Sequence, residues 1–202
     1  MEILFVRNLF RPQDFGGNRY PWEVTKRLAE RGHHVRVVTP RPAGPLPGVT
    51  TVNFTHYPAS RRTPFETFFT NALFSRLATC FQILRRRPDV IVLSSYDVAF
   101  GHFWLGRTGI PSVYIYHSSF YSDAVDRVAR KPWPIRLAYP LLDAFTRYVE
   151  SVTFRFADRI VAVSPFSKQE IEERLGHTDE RIRLVPTGVD TAAFAPGDQE
   201  EA

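Results

Sequence analysis

The sequence of 202 residues contains a single cysteine, Cys80, which excludes a disulfide framework and a cysteine-based metal site within one chain. No apolar run reaches the roughly 18 to 20 residues that a membrane-spanning helix needs. The N-terminal segment 1–6 lacks the basic region of a signal peptide, and Arg7 ends its apolar run, so the segment predicts a first strand. The single cysteine favours a cytoplasmic location.

Nucleotide-binding fingerprints are also missing. Neither GxGxxG nor GxxxxGK[ST] occurs, so an enzyme that binds NAD or ATP has little support. The six histidines show no metal-ligand spacing, and we expect no metal and no cofactor. The formal net charge of +5 suits anionic partners. Its basic residues are not interleaved with aromatic ones as in nucleic-acid-binding proteins, so nucleic acid is not an expected partner.

What the sequence does contain is an alternation of short apolar strands and amphipathic helices. Strands are predicted over residues 3–6, 35–39, 50–54, 90–93, 113–116, 159–163 and 182–185. Crossovers of ten or more residues between strands imply parallel pairing. We therefore predict the α/β class: a single Rossmann-like domain with an open parallel sheet flanked by helices over residues 1–195. Residues 196–202 are predicted to be a tail or the start of an interdomain linker.

Several helix ends are marked by capping residues. A helix that begins near Tyr20 is expected to stop at Gly32. Another helix is expected to begin after Ser164, with Pro165 at its first position, and to stop at Gly176.

Two other helices are predicted with less regular signals. A short helix after residues 90–93 takes Asp97 as its N-cap and Gly109 as its stop. A long apolar stripe over residues 138–156 predicts a helix that is kinked at Pro140.

The helix that begins near Pro64 has the longest apolar pattern. Its predicted buried stripe comprises Phe65, Phe68, Phe69, Ala72, Leu73, Leu77, Cys80, Phe81 and Leu84. This periodicity indicates burial against a sheet or another helix. A membrane-surface role for the stripe is the less favoured alternative, because the polar face is not especially basic. Residues 85–87 are all arginine and suit the negative end of the helix dipole.

Ligands bind open α/β sheets outside the carboxyl ends of the strands, and three loops there carry candidate residues. Gly16 and Gly17 precede a helix whose free N–H groups could hold a phosphate, although turn formation explains a glycine pair equally well. His117 directly follows a buried strand; a structural role for a loop histidine is the competing interpretation. The third loop, residues 186–190, reads structurally as a turn.

Six segments, in this order, resemble the N-terminal half of the family-four retaining GT-B glycosyltransferases. They are Gly16 and Gly17, LAERGHHVRVVT at 28–39, PDVI at 88–91, His117, ADRIVAVS at 157–164, and VPTGVD at 185–190 with Phe194 and Pro196. The resemblance covers nearly the whole chain. Each motif is weak alone, and their common order gives the resemblance its weight.

The resemblance implies an acceptor-side domain of an enzyme that transfers a sugar from a nucleotide-sugar donor. The donor-gripping C-terminal half has no counterpart in the sequence, so the chain alone is expected to be inactive. By matching position, Gly16 and Gly17 would lie beside the donor phosphates and His117, the catalytic candidate, beside the transferred sugar. The acceptor-side or cleft candidates are Asn18, Tyr96, Ser118, Ser119 and Ser164, and the hinge candidates are Thr187, Gly188 and Asp190.

One position departs from the family pattern, and a second function fits the same sequence. Thr187 stands where the family usually has asparagine, a departure that concerns the acceptor contacts more than the fold. The alternative function is a non-catalytic subunit that binds or anchors a catalytic partner. No motif in the sequence identifies the acceptor or the transferred sugar. The basic segment 127–133 could contact a phosphorylated acceptor or an anionic membrane, although a solvated loop is the favoured interpretation.

Overall fold

A computed structural model of the protein describes residues 1–8, 10, 19–40, 46, 52–58, 64–119, 139–176 and 179–188. These residues form seven strands and five helices. The strands are β1 Glu2–Val6, β2 His34–Thr39, β3 Val52–His56, β4 Val90–Leu93, β5 Ser112–Tyr116, β6 Arg159–Ala162 and β7 Ile182–Leu184. The helices are α1 Arg19–Glu30, α2 Pro64–Arg85, α3 Tyr96–Trp104, α4 Tyr139–Phe156 and α5 Pro165–Leu175. The predicted α/β alternation is confirmed.

All seven strands are parallel and form one sheet in the order β3-β2-β1-β4-β5-β6-β7. The chain therefore builds outward from β1 to one edge and then returns to add β4 on the other side of β1. Right-handed crossovers then place α1 on one face of the sheet and the other four helices on the opposite face. The strand order reverses at the β1–β4 pair, and the crevice outside the carboxyl ends of these two strands is the topological switch point, where such sheets bind ligands.

The core consists of two apolar layers, one on each face of the sheet. The larger layer joins the sheet to α2, α3, α4 and α5, and the smaller one packs α1 residues such as Trp22 and Ala29 against β1 and β2. Strand β1 supplies both layers, since Leu4 and Phe5 are fully buried on opposite faces. In β4, Ile91 and Leu93 are likewise buried, whereas the alternate valines are only half-buried.

Three predicted helix ends are confirmed, and their geometry explains them. Gly32 and Gly176 have left-handed φ angles of 82° and 73°, a conformation that favours glycine. Ser164 caps α5 by accepting a hydrogen bond from the Ser167 N–H at 3.0 Å, and Pro165 follows it at the first helical position.

The prediction for α3 is wrong at both ends. The N-cap is Ser95, and Asp97 lies inside the first turn, where its carboxylate accepts hydrogen bonds from neighbouring elements instead of capping the helix. The helix ends at Trp104, and Gly106, with a φ of 101°, turns the chain before Gly109 is reached.

Pro140 also gives no reason for the kink that was expected there. Helix α4 begins at Tyr139, so this proline lies in the first turn, where its N–H would have had no helical partner.

The buried stripe predicted for α2 is wrong for much of its length. Its exposed side includes Phe65, Leu73, Leu77, Phe81 and Leu84. Phe68 and Ala72 are buried as predicted, but the other buried positions are polar: Asn71, Ser75, Thr79 and Gln82. The predicted stripe extends around more than half of the helix circumference at 100° per residue, so the pattern alone did not define one inward face.

Two contacts explain why α2 turns its small and polar side inward. A side chain at Gly101 of α3 would place its Cβ 2.1 Å from the Ala72 carbonyl oxygen, so only small residues fit where the two helices cross. At the other end, the buried Arg36 of β2 donates to the Gln82 carbonyl at 2.8 Å and side-chain oxygen at 3.0 Å, and to the Arg86 carbonyl at 2.6 Å. This buried cation requires oxygen partners and receives them from the end of α2.

None of the helices in the described ranges has the length and apolar character needed to cross a bilayer.

Candidate functional site

The carboxyl ends of β1, β4 and β5 bring polar side chains together at the switch point. Arg7 and Asn8 follow β1, Ser94 and Ser95 follow β4, and His117 follows β5. The Ser94 N–H also donates to the Val6 carbonyl at 3.1 Å, which extends the strand pairing and fixes the two loops against each other. Residues 87 positions apart in the chain thereby become neighbours.

Ser94 connects a buried arginine to the candidate catalytic histidine. The Arg7 guanidinium donates through Nη1 to the Ser94 carbonyl and, at 2.8 Å, to the Ser94 hydroxyl. The same hydroxyl lies 3.0 Å from His117 Nε2. Arg7 is 5% exposed and Ser94 is fully buried, so both side chains are held in fixed positions. We call Arg7, Ser94 and His117 the switch-point cluster.

The surroundings of His117 keep its imidazole neutral. Burial, and second the positive charge of Arg7, together lower the pKa of His117 to about 3. The Tyr20 ring, from the start of α1, lies edge-on to the imidazole with 5.4 Å between the ring centroids. A neutral imidazole offers one N–H donor and one acceptor, so the ring can form a hydrogen bond to a ligand without carrying charge.

Asp97 holds three elements around this cluster. Its Oδ2 atom accepts from Asn8 Nδ2 at 2.8 Å and from Asn71 Nδ2 of α2 at 2.7 Å. Its Oδ1 atom accepts from the Val98 N–H at 2.9 Å. The carboxylate therefore joins the loop after β1 to α2 and α3. Burial, followed by the charge of Asp97, raises the pKa of Tyr57, whose phenol therefore stays protonated.

The remaining candidates that the structure describes lie in different settings. Ser118 is exposed beside His117, whereas Ser119 is buried and donates to Glu150 of α4 at 2.8 Å. Tyr96 begins α3 and stacks on Phe68, with 6.2 Å between centroids.

The other candidates cap a helix, are exposed or fall outside the described residues. Ser164 uses its hydroxyl to cap α5. Thr187 and Gly188 are exposed after β7, and Gly188 has an ordinary φ and open space around it. The candidates Gly16, Gly17, Asn18 and Asp190, and the basic segment 127–133, lie outside the described residues.

Sequence reasoning missed Arg7, Ser94 and Asp97 as parts of this site. Arg7 entered the sequence argument only as the end of an apolar run. A charged residue directly after a buried first strand was the available signal, because that position lies at the switch point of an open sheet. Asp97 was interpreted as a helix cap, and nothing local distinguishes the two roles.

Across the described ranges, no group of three or more His, Cys, Asp or Glu side chains could hold a metal ion.

Comparison with known proteins relates the chain to sugar transferases. The sequence profile named Glycosyltransferase Family 4 matches residues 16–193. A D-inositol 3-phosphate glycosyltransferase from Nocardiopsis dassonvillei is 31% identical over 209 residues, covering 94% of this chain and 45% of that protein. A protein of the same name from Geodermatophilus obscurus is 29% identical over 204 residues, covering 94% of this chain and 43% of that protein.

Solved structures give the same picture at the level of the fold. Sucrose-phosphate synthase from Thermosynechococcus elongatus superposes with a TM-score of 0.71 at 18% identity, covering 96% of this chain and half of that one. WaaG, a glycosyltransferase involved in lipopolysaccharide biosynthesis, superposes with a TM-score of 0.64 at 18% identity, covering 98% and 49%. The chain thus spans about half the length of the proteins that it matches.

Proposed function

The chain belongs to glycosyltransferase family 4 and has the N-terminal α/β domain of a GT-B fold, and we propose that it is the acceptor-side domain of a retaining enzyme. That enzyme would transfer a sugar from a nucleotide-sugar to an acceptor in a cleft between this domain and a C-terminal donor-binding half. The observation that carries the proposal is the switch-point cluster, which places His117 at the ligand-binding edge of the sheet.

A neutral imidazole suits a position beside the transferred sugar. A retaining transfer passes through an oxocarbenium-like transition state that carries positive charge, and an imidazolium next to it would be unfavourable. With a pKa of about 3, His117 is uncharged at pH 7 and free to hydrogen-bond to a sugar hydroxyl. The nearby charge of Arg7 favours an anionic donor at this edge. The leaving phosphate would take up the acceptor proton, so the chain needs no carboxylate nucleophile.

Transfer requires a second domain because this domain supplies only one side of the cleft, at the carboxyl edge of its sheet. A single domain does not enclose a donor or exclude water from it. We therefore expect the isolated chain to have no transferase activity and negligible affinity for nucleotide-sugars. Calorimetric titration with UDP-, GDP- and ADP-sugars tests this, and tight binding by the isolated chain would contradict it.

A non-catalytic role is the second candidate function, in which the domain binds or anchors a catalytic partner through the same edge. The His117→Ala variant distinguishes the two. Combined with the C-terminal half, it should lose most transferase activity if His117 contacts the sugar, and keep it if the domain only anchors a partner. Whether a polypeptide carrying a C-terminal donor-binding half copurifies with the chain is the complementary observation.

The acceptor proposal takes its direction from the relatives. Both relatives described above are named for D-inositol 3-phosphate, and we propose a phosphorylated polyol as the acceptor class. Tyr96, Ser118 and the basic segment 127–133 are the residues that we assign to it. This domain combined with a C-terminal donor-binding half is called the two-part enzyme. Assays of the two-part enzyme with D-inositol 3-phosphate and with myo-inositol test the acceptor class, and equal rates would exclude a role for the phosphate.

We further propose that the enzyme works in the cytoplasm with peripheral contact to a membrane. The single cysteine and the positive net charge support this location. From the sequence, segment 127–133 was an alternative contact for such a membrane, although a solvated loop was its favoured interpretation.

A further inference from the structure

Helix α2 displays a continuous apolar ridge on its outward side. Leu73, Leu77, Phe81 and Leu84 all lie on this side, spaced by four, four and three residues, and all are exposed. We call these four residues the α2 ridge. They cover about 16 Å of helix at 1.5 Å per residue. Between Leu73 and Leu84 the only charged residue is Arg76, which points sideways to α3.

The core of the domain gives no reason for this ridge. The inward side of α2 is fixed by Arg36 and by the crossing with Gly101, and the ridge residues belong to neither contact. Exposing four large apolar side chains in a row is unfavourable in water. Contiguous apolar surface of this kind in a folded domain marks a binding surface.

The surface near the ridge extends to the end of α3. The Arg76 guanidinium donates to the Gly106 carbonyl at 2.6 Å, which places the end of α3 beside the middle of α2. Trp104 and Leu105 at this end are exposed as well. Tryptophan is enriched where proteins meet the interface between water and lipid, because its ring is apolar and its N–H is polar.

One end of the ridge is strongly cationic. Arg85, Arg86 and Arg87 follow Leu84, and all three are exposed. Arg86 forms an ion pair with Glu2 at 2.8 Å, whereas Arg85 lies over the Phe81 ring at 5.5 Å from its centroid. Arg87 donates to the Gly109 carbonyl at 3.2 Å. Among the described residues, neither Arg85 nor Arg87 has a carboxylate partner.

This charge distribution decides which partner fits. A second copy of the chain packed on the ridge in the antiparallel direction would set three arginines against Glu66, the one acidic residue at the other end of α2. In the parallel direction the arginines would face each other. An anionic bilayer satisfies both parts of the surface, since acyl chains accept the apolar ridge and lipid phosphates accept the arginines.

We propose that the α2 ridge and the arginines that follow it form a peripheral binding surface for anionic lipid bilayers. The ridge enters the boundary between headgroups and acyl chains, and Arg85 and Arg87 contact lipid phosphates. Binding needs neither a sugar donor nor an acceptor. It therefore stands or fails separately from the transferase proposal.

The test is sedimentation of the full 202-residue chain with vesicles. Phosphatidylglycerol vesicles at low salt should carry the protein into the pellet, and phosphatidylcholine vesicles should carry much less. Absence of binding to phosphatidylglycerol at low salt, or equal binding to both lipids, would overturn the proposal.

The apolar part is tested by the double variant Leu77→Ser and Phe81→Ser. In the proposed complex these two side chains are buried in the bilayer. Losing their apolar area, at about 25 cal/mol per Å², should weaken binding at least about tenfold. The matched control is Leu141→Ser with Phe166→Ser, which changes two apolar side chains that are 76% and 73% exposed on α4 and α5. The control should bind as the parent does; equal loss in both double variants would contradict the proposed surface.

The cationic part is tested by Arg85→Gln with Arg87→Gln, for which we expect a loss of about fivefold per arginine. Arg31→Gln with Arg183→Gln removes the same charge from exposed sites elsewhere and should cost clearly less. Circular dichroism establishes that each variant is folded. If the ridge double variant does not fold, Leu84→Ser replaces it, because that side chain is 86% exposed at the end of α2.

Sedimentation equilibrium without lipid tests the competing occupant of the ridge, a second copy of the chain. A parent chain that is dimeric, and becomes monomeric in the ridge variant while failing to bind vesicles, would assign the ridge to a second copy and overturn the lipid proposal.

Discussion

Two histidines of the domain, His117 and His102, have similar electrostatics but lie toward opposite edges of its sheet. His117 follows β5 at the carboxyl edge, and His102 lies near the end of α3, which runs back toward the other edge. The pKa of each is lowered to about 3, first by burial and second by the charge of a neighbouring arginine, which is Arg7 for His117 and Arg76 for His102. The guanidinium of Arg76 lies 3.2 Å from His102 Nδ1.

The surroundings of the two rings nevertheless differ. His102 is 3% exposed, and its ring lies against Phe103 and Arg76 where α2 and α3 pack together. His117 is half-buried and lies at the switch point, where a ligand can reach it. A strongly lowered histidine pKa therefore reports burial beside a cation, and the position relative to the sheet edge is what indicates function.

The largest expected effect separates the two histidines by activity. In the two-part enzyme, His117→Ala should lower kcat/KM by about 100-fold to 1,000-fold, the cost of losing one preorganised group at a transition state. His102→Ala should leave kcat/KM of the folded protein within about threefold of the parent, because its ring does not reach the ligand edge. Steady-state kinetics on both variants checks this, and equal losses would abolish the distinction.

The second prediction concerns the packing that encloses His102. Gly101→Ala should lower the free energy of unfolding by about 3 kcal/mol, since the new Cβ would meet the backbone of Ala72 and force α2 and α3 apart. The control is Gly188→Ala, at an open position with ordinary φ, which should have almost no effect. Urea denaturation measures both. A stable Gly101→Ala domain would mean that the helices adjust easily.

A third prediction uses the pH dependence of stability. Each histidine has an unfolded-state pKa of about 6.5 and a native pKa of about 3. Between these values only the unfolded state binds the proton, so stability is complete above pH 6.5 and decreases as the pH falls toward 3.

From pH 7 to pH 5 the loss should reach about 2 kcal/mol for each histidine at 1.36 kcal/mol per pKa unit. Replacing His102 by Gln should remove about half of this pH dependence, and urea denaturation at both pH values measures it. An unchanged pH dependence in that variant would show that the pKa of His102 in the native protein is close to its unfolded value.

The smallest expected effect is the contribution of each arginine to the lowered pKa of its neighbouring histidine. Because Arg7 is the second cause of the lowered pKa after burial, Arg7→Met should raise the pKa of His117 only part of the way, by about one unit. Arg76→Met should do the same for His102 and leave His117 unchanged. Titration of the imidazole resonances by NMR resolves the two. A shift of both rings in either variant would indicate a structural change instead of a local charge effect.

The sequence predicted the fold well because each element carried its own local signals. The strands were placed within two residues at each end, since short apolar runs bounded by turn residues have few other solutions. Glycine and serine caps located the ends of α1 and α5 for the same local reason. The location of His117 at a carboxyl edge followed directly from the parallel order.

The candidate site was predicted only in part. The sequence pointed to His117 but not to its two partners, because Arg7 and Ser94 are 87 residues apart and meet only through the pairing of β1 with β4. Asp97 was misassigned because a carboxylate near a helix start suits a cap, and its partners Asn8 and Asn71 come from distant segments. Neither relationship has a local signature.

The sequence by itself therefore determined the parallel α/β architecture, because strand and helix periodicities and turn chemistry are properties of short segments. Only the tertiary structure decided which side of α2 faces the core, because the requirement of buried Arg36 for oxygen partners and the close crossing at Gly101 outweighed a broad apolar pattern. It also decided which polar residues surround His117, because sheet order brings together chain segments that are far apart in sequence.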